Sequence, residues 1–558
     1  MKKFKLYSLA AAAILLGMTS CSESFLTEEP ASSLPIDGYY NTYNHIMESA
    51  VAAYDPMQWF DYFNGWAPLN LVWDSMSDDI YVGGGSTSDQ GQIHLISQYR
   101  SDPSNNIDGA WTTAYSGINR SIRLIDNAKN STQITEAQRQ LFDAEGRAMR
   151  AWYYLVLWKT WGNVPYYEAN LTYPYVTRQY TAKELYDAVT ADLEKVLDSN
   201  VLPMDQPAEW KGRMTQAAAA MIYADYVMYQ ADQSKYAKAL GYMESIIGSS
   251  KYDLVSTKEL WDVRNEWNKE IIWDVNYASK GGKRDWGSAN ATGGTVLPQM
   301  IGVDGYSESK VGDKDYVPVF SSGGWGFCTV SKEVYDDYEA KDLRRDLGIL
   351  NIDKYIEENA AEGNLVYYGG RYQNTGYFLR KYLPRPGGND GFVASDGLNW
   401  DYNLHLYRYA ETLLNAAELG LATGSSKAQG YYDLVRQRAG VPTRTVTLDN
   451  LIDERRLEFV GEGKRYFDLV RTGKAATVLK GGAGVVQTSK GYYFDKDKDG
   501  KEIKDLEHLH FQKAAWSGTA IPERKGWTEN KKYIQIPQSE IEATASKGDE
   551  FKIVQNPN

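Results

Sequence analysis

Apolar residues recur along this chain at intervals of three and four, the spacing that places them on one side of a helix. From Phe142 to Trp161 the pattern puts Met149, Trp152, Tyr153 and Val156 together and leaves Arg147 and Arg150 on the surface. Gly162-Asn163 and then Pro165 stop that helix. Thr181 and Glu184 stand as N-cap and N3 of a capping box. Leu185, Val189, Leu193 and Val196 line the buried side of the helix that follows. Thr215–Gln230 with Tyr236–Gly248, and His405–Leu421 with Lys427–Arg438, read as two helical hairpins. Leu406, Tyr409, Ala410, Leu413, Leu414 and Ala417 form one stripe of the second, and Gly440 and Pro442 end it. A helix over Leu448–Val460 follows, with Leu451, Ile452 and Phe459 inward.

Thr215–Gly248 and His405–Arg438 are each 34 residues long, the length of a tetratricopeptide unit. Between the helices lie stretches 59–110, 276–330, 360–404 and 480–530, rich in Gly, Ser, Asn, Asp and aromatic residues. Loops of that length in a compact protein are functional or disordered, and their Trp and Tyr content argues for order. The expected fold is mainly α: a tetratricopeptide-like helix-pair scaffold carrying long ordered loops.

The N-terminus adds a compartment. Lys2, Lys3 and Lys5 precede an apolar run from Leu6 to Leu16, then Gly17-Met18-Thr19-Ser20 and Cys21. The run is too short to span a bilayer and reads as a secretory leader over residues 1–20. A cysteine directly after small residues predicts cleavage before Cys21 and its acylation, with residues 21–40 as a partly flexible tether. Residues 21–558 are then expected to form one domain.

Composition narrows the chemistry. The net charge of −13 argues against a nucleic-acid partner. Cys21 and Cys328 are the only cysteines, so an acylated Cys21 leaves no internal disulfide. No later run is apolar enough to cross a membrane. The 43 Tyr and 16 Trp against 14 Phe are unusual. A ring with an apolar face and a polar edge matches a sugar, which has both, although most such rings fill gaps between helices. Catalytic motifs are missing: there is no His-Glu-x-x-His, Gly-x-Ser-x-Gly, P-loop or Cys-x-x-Cys, and the histidines are only His45, His94, His405, His508 and His510. Glu458 and Glu462 form an i,i+4 carboxylate pair, but basic residues surround both. Asp495, Asp497 and Asp499 before Gly500 match the start of a calcium loop, with Leu506 where the twelfth-position Glu belongs. The other reading of that segment is a solvated charged turn.

Several ordered motifs resemble one family. They include Trp111 to Asn119, Ala144-Glu145 to Tyr154, Trp161-Gly162-Asn163-Val164-Pro165, Gly212-Arg213, and Arg408-Tyr409-Ala410-Glu411. The most specific is Glu454-Arg455-Arg456-Leu457-Glu458-Phe459 through Gly463-Lys464-Arg465-Tyr466-Phe467-Asp468 to Arg471. Ile536-Pro537-Gln538-Ser539-Glu540-Ile541 completes the set. The chain thus resembles the SusD/RagB family of surface glycan-binding lipoproteins from Bacteroidetes. That resemblance implies an α-helical domain of four tetratricopeptide-like units on the outer face of the outer membrane. It implies a lid over a SusC-like TonB-dependent transporter, oligosaccharide as cargo, no catalysis, and Glu23 beside Cys21 as part of an export signal. The charged residues of the Glu454–Arg471 motif are expected to make helix-surface and interhelix ion pairs.

Ligand contacts are expected on the loops, at Trp73, Asp79 and Tyr81, then Trp286, Tyr306 and Trp325, with Arg371 as a bidentate donor to hydroxyls. Each tryptophan can equally fill the core, and Asp79 can equally brace its loop. Calcium on Asp495, Asp497 and Asp499 would be structural, and no cofactor is required. Two other functions stay open, a peptide or glycopeptide receptor on the same scaffold and a glycoside hydrolase.

Overall fold

The computed structural model describes residues 36–61, 68–281, 284–286, 293–480, 485–487, 491–512, 516–520 and 526–557. The expected leader, Cys21 and the tether up to residue 35 lie outside the described residues. Among those described, the longer helices are α1 (Tyr43–Tyr54), α2 (Asp108–Asn130), α3 (Glu136–Trp161), α4 (Ala182–Ser199), α5 (Gln216–Gln230), α6 (Tyr236–Gly248), α7 (Ile352–Ala361), α8 (Tyr409–Thr423), α9 (Ala428–Arg438) and α10 (Leu448–Phe459). The strands that matter for the site are β1 (Ile80–Gly83), β2 (Ile271–Val275), β3 (Phe327–Val330), β4 (Ile349–Asn351), β5 (Tyr377–Leu379) and β6 (Leu404–Arg408).

The fold is mainly helical, as the periodicity predicts. The predicted capping box at Thr181 is present, with Glu184 reaching back to the Thr181 N–H at 2.9 Å. Helix α3 begins six residues before the apolar pattern because Thr135 and Gln138 form a second capping box. Met149, Trp152, Tyr153 and Val156 are all buried. Arg150 is buried too, contrary to its expected surface place, because it pairs with Asp192 at 2.7 Å. Helices α2 and α3 cross at Gly117, where a Cβ would stand 2.2 Å from the ring of Tyr153. The hydroxyl of Tyr153 continues past that crossing to the carbonyl of Ala53 at 2.7 Å, tying in α1.

Both predicted hairpins form and stack: α5 packs on α6, α6 on α8, and α8 on α9 and α10. Helix α5 is buried on nearly every side, as its run Ala217-Ala218-Ala219-Ala220 allows. One boundary differs. His405 does not open a helix; it lies in β6, which pairs antiparallel with β2 so that His405 sits opposite Asp274. The His405 Nδ1 meets Asp274 Oδ1 at 2.8 Å, and α8 starts only at Tyr409.

The charged motif holds the stack together from inside rather than from the helix surfaces. Arg408 is fully buried and reaches Glu270, Glu458 and Glu462, each at 2.7 Å. Lys381 meets Glu462 at 2.6 Å, and Arg344 bridges Glu454 at 2.6 Å and Glu458 at 3.0 Å. Arg436 takes the other oxygen of Glu454, and Arg438 joins Glu270 to Glu458. Every carboxylate here faces at least two cations. Bidentate and charge-assisted bonds of this kind fix geometry and offset the cost of desolvating the charges. Burial alone would raise the carboxyl of Glu462, but Arg408 and Lys381 outweigh it and hold it down at about 2. The Glu458–Glu462 pair is therefore ionised structure and not the acid–base pair of a hydrolase.

Strands β1, β3, β5 and β4 form an antiparallel sheet in that order, with Ile80 opposite Val330, Thr329 opposite Phe378, and Phe378 opposite Leu350. The stretches expected to be irregular thus carry short strands and helices of their own. The main apolar core runs from Met57 to Ile553.

Candidate functional site

The sheet edge is where the loops converge. Past β1, the Gly84 N–H donates to the Gly326 carbonyl at 3.0 Å, and the Gly84 carbonyl accepts from Tyr372 N–H at 3.1 Å. Just before β3, the Gly326 N–H bonds to Gly302 O at 2.8 Å and the Trp325 N–H to Gln299 O at 2.9 Å. Gly324 lies flat on Gly302, so close that a Cβ would fall 2.0 Å from its carbonyl carbon. These contacts fix Trp325 at the rim of the core with part of its ring outside.

Trp286 meets it from another segment. Arg284, two residues earlier, is completely buried and donates to Asp61 at 2.7 Å and to the Gln58 carbonyl at 3.0 Å. Asn399 donates to the Arg284 carbonyl at 2.8 Å. On that anchored base Trp286 is 62% exposed, an unusual cost for so large an apolar ring. Its centroid is 5.8 Å from that of Trp325, with the planes inclined by 40°.

Arg371 completes the group. Its Nη1 donates to the Trp325 carbonyl at 2.9 Å, and its Nε stands 3.6 Å from Asp304. A guanidinium has five N–H donors in a fixed fork, so donors remain for a ligand. Three of the residues expected from the sequence, Trp286, Trp325 and Arg371, therefore share one surface of two inclined indoles with a guanidinium beside them. Asp304 belongs with them and carries no sequence signal of its own; only the ion pair with Arg371 reveals it.

The other expected contacts lie elsewhere. Asp79 is buried and grips Arg456 at 2.6 Å, so it braces β1 against α10 and cannot touch a ligand. Tyr306 is buried in a separate small core with its hydroxyl on Glu308 at 2.7 Å, which corrects its expected exposure. Trp73 sits on a short helix, Leu69–Ser75, edge-on to Phe467 at 5.1 Å, with its indole N–H on Thr160. It is half-buried against the core, beside an interior cavity of about 60 Å³, and takes no part in the exposed pair. Tyr81 is half-buried on β1 opposite Thr329.

The acidic turn at Asp495–Asp499 bonds partly to itself. Asp497 Oδ1 accepts from the N–H groups of Asp499 and Lys501, both at 2.9 Å, so its carboxylate closes its own turn. Asp495 instead pairs with His510 at 3.0 Å. Among the described residues no group of three or more His, Cys, Asp or Glu could hold a metal. Residues 495–499 are exposed along this turn.

Residues 355–558 match the SusD family, and residues 25–225 match a family described as starch-binding and associating with the outer membrane. Surface glycan-binding protein A from Bacteroides thetaiotaomicron, solved with laminarihexaose, is 40% identical with a TM-score of 0.77, covering 92% of this chain and 100% of its own. The protein of the same description from Bacteroides fluxus is 35% identical, with a TM-score of 0.76 and coverage of 93% and 100%. A SusD-like protein of Bacteroides ovatus is 26% identical over 100% of this chain and 97% of its own length. A helical stack locked by the Glu454–Arg471 motif, and relatives of this identity matched end to end, place the chain in the SusD family.

Proposed function

We propose that this protein is a surface glycan-binding protein that holds a laminarin-type glucan across Trp286 and Trp325 and passes it to a SusC-like TonB-dependent transporter. The observation that carries the reading is the exposed, anchored Trp286–Trp325 pair with Arg371 at its edge. An indole covers the C–H face of a sugar ring while the hydroxyls at the rim stay free for polar groups. Arg371 and Asp304 offer a donor and an acceptor there. Rings inclined by 40° do not fit one straight ribbon of sugars; they follow a chain that turns, as a β-1,3-linked glucan does. The 40%-identical relative in complex with laminarihexaose supports the same class of ligand.

SusD family proteins bind glycan without cleaving it, and this chain is not an enzyme. Acylation at Cys21 would hold it on the outer membrane, several acyl chains giving a lasting anchor. Retardation on native gels cast with laminarin, against gels with starch or a mannan, tests the ligand class. Laminarihexaose recovered from a long incubation is expected to be intact. Retardation by starch alone, or hexaose cut to shorter products, overturns the reading.

A further inference from the structure

A second concave surface lies along α2. Thr112, Tyr115, Ser116, Asn119 and Arg123 fall on one face of that helix and line an open cavity of about 510 Å³. Segment 165–177 forms another wall, and Glu540 and Ile553 add to the rest. No residue of this cavity belongs to the Trp286–Trp325 group.

Its aromatic rings are held in place. Tyr115 and Tyr167 stack with centroids 6.1 Å apart and planes inclined by only 13°. The Tyr115 hydroxyl donates to the Pro165 carbonyl at 2.8 Å, and the Tyr167 hydroxyl to Asn119 Oδ1 at 3.2 Å. Tyr175 also lines the cavity, is 68% exposed, and has φ of +57°, a conformation a bulky residue rarely keeps. A turn from Tyr175 N–H to Thr172 O at 2.7 Å holds it there. Polar groups ring these faces. Thr112 and Arg123 are exposed on this wall, and Ser116, Asn119 and Asn170 are half-buried beside them.

We propose that this cavity is a second saccharide site, taking one or two neutral sugar rings against the tyrosines. The volume lies within the roughly 300–1,000 Å³ of small-ligand sites. An apolar side chain from a protein partner would strip water from Arg123, Asn119 and Asn170 and return no hydrogen bonds, which is costly. A sugar covers the rings and replaces that water with hydroxyls. One guanidinium stands in the cavity with one carboxyl, Glu540, which burial raises against a hydrogen bond from Trp111. That balance favours a neutral ligand over a charged one. The proposal rests on the cavity alone and does not need the Trp286–Trp325 reading to hold.

Saturation-transfer NMR tests it, with laminaribiose, cellobiose and maltose as probes on a Trp286→Ala/Trp325→Ala background. If the double variant melts early, Trp286→Ala alone serves, since that ring is exposed. At least one disaccharide is expected to receive transfer on this background. Adding Tyr175→Ala and Asn170→Ala should weaken it fivefold or more without moving the melting midpoint. The absence of transfer to all three probes, or transfer that ignores the Tyr175 and Asn170 changes, overturns the proposal. Failure of the tryptophan reading would show differently, as unchanged hexaose affinity in the tryptophan variants.

Discussion

At the scale of single residues, burial decides what a side chain does, and residue type does not reveal it. Trp73 and Trp286 stand in similar aromatic-rich sequence, yet one packs on Phe467 and the other is exposed beside Trp325. Asp79 looks like a loop acid and is a buried partner of Arg456. What separates them is long-range: Arg284 under Trp286 finds Asp61 across more than two hundred residues, and no local pattern encodes that. Arg408 is the most heavily bonded of the buried cations. Arg408→Met removes a partner from Glu270, Glu458 and Glu462 together and should destabilise the fold by about 3–5 kcal/mol, read by denaturant unfolding. A cost under about 1 kcal/mol would mean that the neighbouring cations suffice. The Asp495–Asp499 turn makes a contrasting prediction: millimolar calcium should leave the melting midpoint unmoved, because Asp497 already bonds to its own backbone.

At the scale of elements, the sequence was most informative where a period and a cap coincide. Thr181 with Glu184 marked the start of α4, and Thr181→Ala should cost about 1 kcal/mol by losing that cap. The hairpins α5–α6 and α8–α9 followed from their stripes and turns. Where tertiary pairing competes with the period, the sequence misled. Leu404–Arg408 carries residues of a helical stripe but pairs with β2, because Asp274 and Glu270 wait there for His405 and Arg408. The α2–α3 contact is set by one missing side chain. Gly117→Ala would drive a methyl into the Tyr153 ring and should destabilise by about 1–3 kcal/mol, seen as a lower melting midpoint. The loops bearing Trp286, Trp325 and Arg371 could be named from composition, but their meeting point required the sheet that gathers them.

At the scale of the whole molecule, the buried charges set the pH range of stability. Burial raises Asp468, but Arg455 and Arg471 outweigh it and hold it at about 2, as Arg408 and Lys381 hold Glu462 at about 2. Glu458 lies well below its ordinary value, with Arg438, Arg408 and Arg344 outweighing burial. Folded values below unfolded ones give stability that is present above about pH 4.5 and lost as pH falls toward about 2. His405 runs the other way: burial lowers it, Asp274 more than compensates, and its contribution is lost as pH rises through the raised value. Thermal melting followed from pH 7 to pH 2.5 should fall steeply below about pH 4.5, and Glu462→Gln should flatten that fall. An unchanged acid slope in Glu462→Gln would remove that carboxylate from the account.

The central claim is that two inclined tryptophans on rigid supports bind the glycan. A stacked ring removed from the centre of a binding surface costs about 1–3 kcal/mol of binding, whereas a core tryptophan costs about 3–5 kcal/mol of stability. Calorimetric titration of laminarihexaose into the parent protein and into Trp286→Ala, with the melting midpoint of each, separates the two directly. The account predicts a loss of affinity of tenfold or more with the midpoint shifted by no more than a few degrees. Parent-like affinity in a Trp286→Ala protein that melts like the parent would contradict it.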